Sequence, residues 1–169
     1  AAKGSTACVK ITASNFDSLI NTQFALTWDK TVLTLSSVQN CNPALSISNC
    51  SLGTPEFGVI GGNLQFSWQA PLAQQLTGVT LPNNATLFEV CFTVIGGAGS
   101  STPINIGSVS GFTASAQDAG KDNFDLAFNP GKVSVPGAGT VTLNFTDIDA
   151  CPGKTVCIPV KVDGFIDVE

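Results

Sequence analysis

The side chains able to do chemistry in this chain are cysteines and carboxylates. Six cysteines stand at positions 8, 41, 50, 91, 151 and 157 of the 169-residue sequence. No CxxC pair occurs among them and the chain has no histidine, so the set does not describe a zinc module. Wide, irregular spacing of this kind reads as disulfides formed in an oxidising, extracytoplasmic compartment. Cys41 and Cys50 enclose the polar stretch Asn42 to Asn49. A bridge between them would pin a loop poor in apolar residues and add about 2 to 3 kcal/mol. The other four, Cys8, Cys91, Cys151 and Cys157, allow three pairings, and the sequence does not choose among them. Cys151 and Cys157 pair locally or reach a neighbouring module. A cross-link between subunits would suit a filament, although pairing within one chain is the preferred reading.

The carboxylates gather in two places. Asp118, Asp122, Asn123 and Asp125 fall within eight residues beside Gly120. Calcium takes six to eight oxygens and tolerates irregular loops, but the spacing is not that of an EF-hand, and a solvated turn is the favoured reading. Asp147, Asp149, Asp163 and Asp167 form a second, weaker set near the C-terminus. No other cofactor is implied. The only glutamates are Glu56, Glu89 and Glu169, and none pairs with an aspartate in the way two carboxylates flank a glycosidic bond. Histidine, tyrosine, methionine and arginine are all absent, which removes imidazole bases, tyrosine acids and arginine clamps. No serine or lysine nucleophile motif is present. A non-enzymatic protein is expected.

Charged residues make up 11% of the chain, with a net charge of -5 and seven scattered lysines. That leaves no cationic footprint for nucleic acid. Apolar residues at 43%, eleven Phe among them, are ample for a packed core. The chain starts at Ala1, carries no signal-like apolar region and has no apolar stretch near the length of a membrane span, so a secreted or cell-surface segment is expected. Three Asn-x-Ser/Thr triplets, at Asn49, Asn84 and Asn144, are no more than a Ser/Thr-rich chain yields by chance.

The elements that must position these residues are strands, since apolar residues recur at period 2 almost throughout. From Ala7 to Ala13, Val9, Ile11 and Ala13 face one way, and Cys8, Lys10 and Thr12 the other. Phe24, Leu26 and Trp28 alternate with Ala25 and Thr27, and Val32, Leu33 and Leu35 follow the Asp29-Lys30 corner. Leu64, Phe66 and Trp68 alternate with Gln65 and Ser67 after the turn Gly61-Gly62-Asn63. From Thr86 to Ile95, Phe88, Val90, Phe92 and Val94 share a face opposite Glu89, Cys91 and Thr93. Shorter strands are expected at Ile104 to Ile106, Phe124 to Phe128 and Lys132 to Val135. Gly, Pro and Asn turns between such strands describe an antiparallel β-sandwich. Cys8 and Cys91 both point away from the core face of their strands, so they pair if those strands are close. Trp28 and Trp68 continue apolar faces, which favours core burial over a sugar-stacking role.

The tail repeats the head. Lys3 to Phe16, KGSTACVKITASNF, aligns with Pro152 to Phe165, PGKTVCIPVKVDGF, with Gly, Thr, Cys and Phe coinciding at an offset of 149 residues, Cys8 to Cys157. Val135-Pro136-Gly137-Ala138-Gly139 suits a linker. Residues 1–137 are therefore expected to form one sandwich, and residues 138–169 a linker with the opening strands of a second copy. A lone strand pair is marginal in water. Two readings stand side by side: the tail is the truncated start of the next repeat, or it is a strand donated to a neighbouring subunit. Residues 140–149 have no counterpart ahead of Ala1, so on the second reading the first sandwich is expected to want a strand that a neighbour's tail would supply. The contacts would come from Thr140, Val141, Leu143, Phe145, Val156, Ile158, Val160, Val162 and Phe165.

The segment Phe24-Ala25-Leu26-Thr27-Trp28-Asp29-Lys30-Thr31-Val32-Leu33 resembles the cohesin pattern of alternating apolar positions, aromatic-Asp and a following Val-Leu. Gly62 to Trp68, Leu87 to Val94 and Ile104 to Ile106 follow in the order of cohesin central strands, so that the resemblance spans roughly residues 7–135. It implies a nine-stranded jelly-roll sandwich of the kind found in tandem-repeat bacterial cell-surface proteins. Cellulosomal cohesins bind dockerins through one sheet face, but no dockerin-contact motif matches here residue by residue, and the Cys-Pro-Gly-x-Thr-x-Cys run departs from them. The expected function is a structural extracellular module that assembles head-to-tail into a surface filament or repeat array. The alternative is a binding module for a dockerin-like protein or a carbohydrate in a large adhesin. The expected partners are further copies of the chain, with no membrane-spanning segment.

Overall fold

The computed structural model describes residues 1–137, together with the backbone of two short strands, Thr142–Asn144 and Lys161–Asp163. The chain divides into two compact units, Ala1–Pro136 and Gly137–Glu169. The first is an antiparallel β-sandwich built from ten strands. These are β1 (Thr6–Ala13), β2 (Leu19–Thr27), β3 (Leu33–Gln39), β4 (Phe57–Ile60), β5 (Asn63–Gln69), β6 (Ala85–Val94), β7 (Ser101–Gly107), β8 (Ser115–Asp118), β9 (Asn123–Phe124) and β10 (Gly131–Ser134). In the second unit β11 (Thr142–Asn144) pairs antiparallel with β12 (Lys161–Asp163).

One layer is a three-stranded sheet in the order β1-β6-β3. The other runs β10-β7-β2-β5-β4, with the β8/β9 hairpin attached to β2. One edge of β2 is shared, since its start pairs with β8 from Leu19 to Gln23 and its end pairs with β7 from Ala25 to Thr27. β6 is the centre of the smaller sheet, and its alternation decides the layer: Phe88, Val90, Phe92 and Val94 are fully buried against the facing sheet. Four phenylalanines from both layers meet there. The Phe66 ring lies 5.1 Å from Phe24, 5.2 Å from Phe57 and 4.7 Å from Phe88, tilted contacts that aromatic quadrupoles favour.

The expected strands are present with extended ends, but the expected strand Phe124 to Phe128 is not. Only Asn123 and Phe124 pair, with Gln117 and Ala116, and the chain from Asp125 to Pro130 has no ladder partner among the described residues. Alternation supplies a face, whereas a strand also needs a free neighbouring edge. β4 and β8 were not expected, because Phe-Gly-Val-Ile follows a Thr-Pro-Glu corner and Ser-Ala-Gln-Asp has one small apolar residue; both exist because β5 and β2 offer them an edge.

Candidate functional site

Cys8 and Cys91 are directly opposed across the β1/β6 ladder and are joined by a disulfide on the outer side of the smaller sheet. Cys41 and Cys50 are joined by a second one. The loop that it closes has an anchor. Pro43–Leu45 form a 3-10 turn capped by the Asn42 side chain, Leu45 is 1% exposed, and its carbonyl accepts the Trp68 Nε1–H at 2.7 Å. Trp28 donates in the same way to the Leu33 carbonyl at 3.0 Å, with its ring edge-on to Phe92. Both indoles are thus held by the core, and neither offers an open stacking platform.

Glu89 lies on the outer side of β6. It accepts hydrogen bonds from Asn40 Nδ2 at 2.7 Å and Gln39 Nε2 at 3.2 Å, with Lys10 Nζ at 4.0 Å. The two amides, Asn40 first, hold its carboxyl below the ordinary glutamate value, with a smaller push from Lys10. These contacts build a ladder, and no second carboxylate stands opposite among the described residues.

The acidic run forms the β8/β9 hairpin. The Asp122 N–H donates to Asp118 Oδ1 at 2.9 Å, Gln117 Nε2 reaches Asn123 Oδ1 at 3.4 Å, and Lys121 sits at a left-handed φ of 70° in the corner. Asp125 lies past the pair and lines a groove. Among the described residues no three acidic or cysteine side chains gather closely enough to hold a metal ion. Cys151, Cys157, Asp147, Asp149, Asp167, Thr140, Val141, Phe145, Val156, Ile158, Val160 and Phe165 lie outside the described residues. Leu143, Val162 and Asp163 are described by their backbone pairing alone.

Two surfaces stand out. The first is the outer face of the larger sheet. With Phe24, Leu26, Leu64, Phe66 and Trp68 buried, the alternate positions Asn21, Gln23, Gln65, Ser67 and Gln69 turn outward, with Asn21 aligned to Gln69 and Gln23 to Ser67, while Ala25, opposite Gln65, is itself buried. Gln117 continues this row, accepting from Asn21 Nδ2 at 3.2 Å. The face is made of amides and hydroxyls and bears no charge on β2 or β5. Leu72 and Leu76, on the turn that follows β5, are 86% and 91% exposed.

The second is an open seam. Among the described residues β1 is an edge strand, paired only with β6. Beside its free edge the layers part into a groove of about 780 Å³, whose walls include Ile11, Phe16, Phe24, Leu87, Ile106, Leu126 and Phe128. A smaller hollow of about 130 Å³ shares Ile11, Thr12, Ile106 and Asn129 with it and continues the seam to Val9 and Gly131. Composition gave no sign of this groove; the signal available was the alternation Phe124, Leu126, Phe128 with no strand to pair with.

No family model and no curated protein matches the sequence. Solved structures do match. The CaCohA2 cohesin of Clostridium acetobutylicum is 18% identical with a TM-score of 0.60, over 82% of this chain and 86% of that one. The chain has a cohesin-like fold. The third ScaC cohesin of Acetivibrio cellulolyticus, solved in complex with the ScaB dockerin, aligns with a TM-score of 0.62 at 18% identity over 80% of this chain and 92% of that one. A non-cellulosomal cohesin from the archaeon Archaeoglobus fulgidus aligns at 0.57 and 18%, over 79% and 83%. The cohesin-like sandwich is therefore reached by a sequence far from theirs. Among the described residues no helix is long and apolar enough to cross a membrane.

Proposed function

We propose that this cohesin-like sandwich is a non-enzymatic, extracellular module that binds a protein partner on the outer face of its larger sheet. The observation that carries the reading is the uncharged amide and hydroxyl surface of Asn21, Gln23, Gln65, Ser67 and Gln69. Such a surface hydrogen-bonds a partner without taking charges out of water, the step that makes buried ion pairs expensive. Structures of like fold crystallised with dockerins support a partner of that kind. The two disulfides suit secretion or display at the cell surface. The test is calorimetric titration of the full chain with purified dockerins. Saturable binding that weakens about tenfold or more, some 1.4 kcal/mol, in a Gln23→Lys, Gln65→Lys variant is expected. Binding indifferent to both substitutions, or absent across type I and type II dockerins, would sink the reading.

Head-to-tail assembly into a surface filament or tandem array is a second reading, favoured by the repetition of Lys3–Phe16 in residues 152–165. Electron microscopy of the full chain tests it: regular filaments support it, and uniform single particles oppose it.

A further inference from the structure

A β-sandwich edge normally ends in a bulge, a charge or a covering loop, because unpaired backbone invites another strand. The β1/β6 ladder shifts register between Ile11 and Thr12, but β1 carries no charge along Ile11–Ala13, and the seam beside it is lined by Ile11, Phe16, Ile106, Leu126 and Phe128. A hollow bounded by a free ladder edge on one side and lined in part by apolar side chains fits an extended polypeptide.

The repeat supplies the register. In the second unit Thr142 pairs with Asp163, Leu143 with Val162 and Asn144 with Lys161. The head-to-tail alignment equates Lys161, Val162 and Asp163 with Thr12, Ala13 and Ser14. Carried across that alignment, the pairing sets Leu143 opposite Ala13 and Asn144 opposite Thr12. Extended by one residue each way, it sets Phe145 opposite Ile11 and Val141 opposite Asn15. Directly opposed residues of an antiparallel pair share a face. Ile11 is buried and Ala13 half-buried on the core side of β1, while Thr12 is exposed. Val141, Leu143 and Phe145 would thus enter the groove, and Thr142 and Asn144 would face water. A slip of one residue would invert the pattern.

We propose that the seam beside β1 receives residues 141–145 of a second copy of this chain, antiparallel to β1, with Leu143 opposite Ala13. Further along β1 the Gly131 backbone comes near Val9, its Cβ position lying 3.8 Å from Val9 Cγ1. The exchange replaces a two-stranded pairing of three residue pairs, marginal by itself, with the same pairing on a sheet edge plus an apolar floor. Each copy both gives and receives, so the contact repeats without closing on itself. The proposal rests on the head-to-tail reading of the chain, and uses a different surface from the outer sheet face.

The test is sedimentation velocity of the full chain at rising concentration, beside Leu143→Asp, Phe145→Asp and the solvent-side control Thr142→Ser. The parent chain and Thr142→Ser should grow stepwise in mass, and the two Asp variants should stay monomeric with unchanged circular dichroism. A synthetic peptide of residues 140–146, titrated into isotope-labelled Leu143→Asp chain, should shift the amides of Ile11–Asn15 and Leu126–Phe128. A parent chain that stays monomeric overturns the proposal, including the case in which its Ile11–Asn15 amides differ from those of Leu143→Asp, which would place its own strand in the seam. Peptide shifts on β2 and β5 instead overturn it as well. Dockerin binding retained by Leu143→Asp separates the failure of this proposal from failure of the outer-face reading.

Discussion

Cys8 and Cys91 face each other across a single rung of the β1/β6 ladder, their Cα atoms 4.0 Å apart and 83 residues apart in the chain. The bond ties an edge strand with one open side to the central strand of its sheet. Closing a loop of that length removes about 4 to 5 kcal/mol of unfolded-chain entropy in the simple loop model. The Cys8→Ser, Cys91→Ser double variant should lose about 3 to 4 kcal/mol of that, allowing for unfolded-state structure. Urea denaturation measures it, and an unchanged midpoint would mean that the bond contributes nothing net. Cys41→Ser, Cys50→Ser should lose less, about 2 to 3 kcal/mol, because its loop is short.

Gly78 stands where only glycine fits. Its φ is 70°, and a Cβ added there would run into the Ser18 carbonyl. The contact is this close because Leu19 and Val79 exchange both backbone hydrogen bonds, at 3.0 and 2.8 Å, drawing the two segments together at the mouth of the seam. Gly78→Ala should destabilise the sandwich by about 2 to 4 kcal/mol, left-handed strain and steric displacement adding together. Gly53→Ala, at φ 80° with open space around its Cβ position, should be milder, at about 1 kcal/mol. Thermal melts of the two variants decide it; equal shifts would refute the steric part.

Acid should act through Glu89 and Asp29. Glu89 is held low by Asn40 and Gln39, and Asp29 by the Thr31 hydroxyl at 2.6 Å and the Thr31 N–H at 2.8 Å. A carboxyl whose folded pKa lies below its unfolded value contributes stability above the unfolded value, near 4, and loses it as pH falls through the folded one. Melting temperature should therefore drop below about pH 4. Glu89→Gln should flatten that acid limb and leave the neutral region nearly unchanged. An acid limb identical to that of the parent would show that the Glu89 contacts do not persist in solution.

Several elements could be read directly because period-2 alternation and burial describe the same physics. Phe88, Val90, Phe92 and Val94 alternate in the chain and lie on one buried face of β6. Alternation in Phe124, Leu126 and Phe128 is as clear, yet the segment beyond Phe124 is not a strand, because edges of other strands, not local pattern, decide who pairs. β4 and β8 fail the pattern and form anyway for the same reason. The amide row of the outer face was implicit in the polar positions of β2 and β5, but the alignment of Asn21 with Gln69 and with Gln117 is a matter of register.

Composition and spacing alone determined that this chain is all-β, that imidazole and arginine chemistry is closed to it, and that its tail repeats its head. Each of these is a local property, carried by which side chains are present and at what interval. The choice of Cys8 for Cys91 among three pairings and the alignment of the two layers belong to the tertiary structure alone. So does the groove that opens where β1 has no neighbour. They are relations between residues far apart in the chain, settled by which buried faces pack together, and no local interval encodes them.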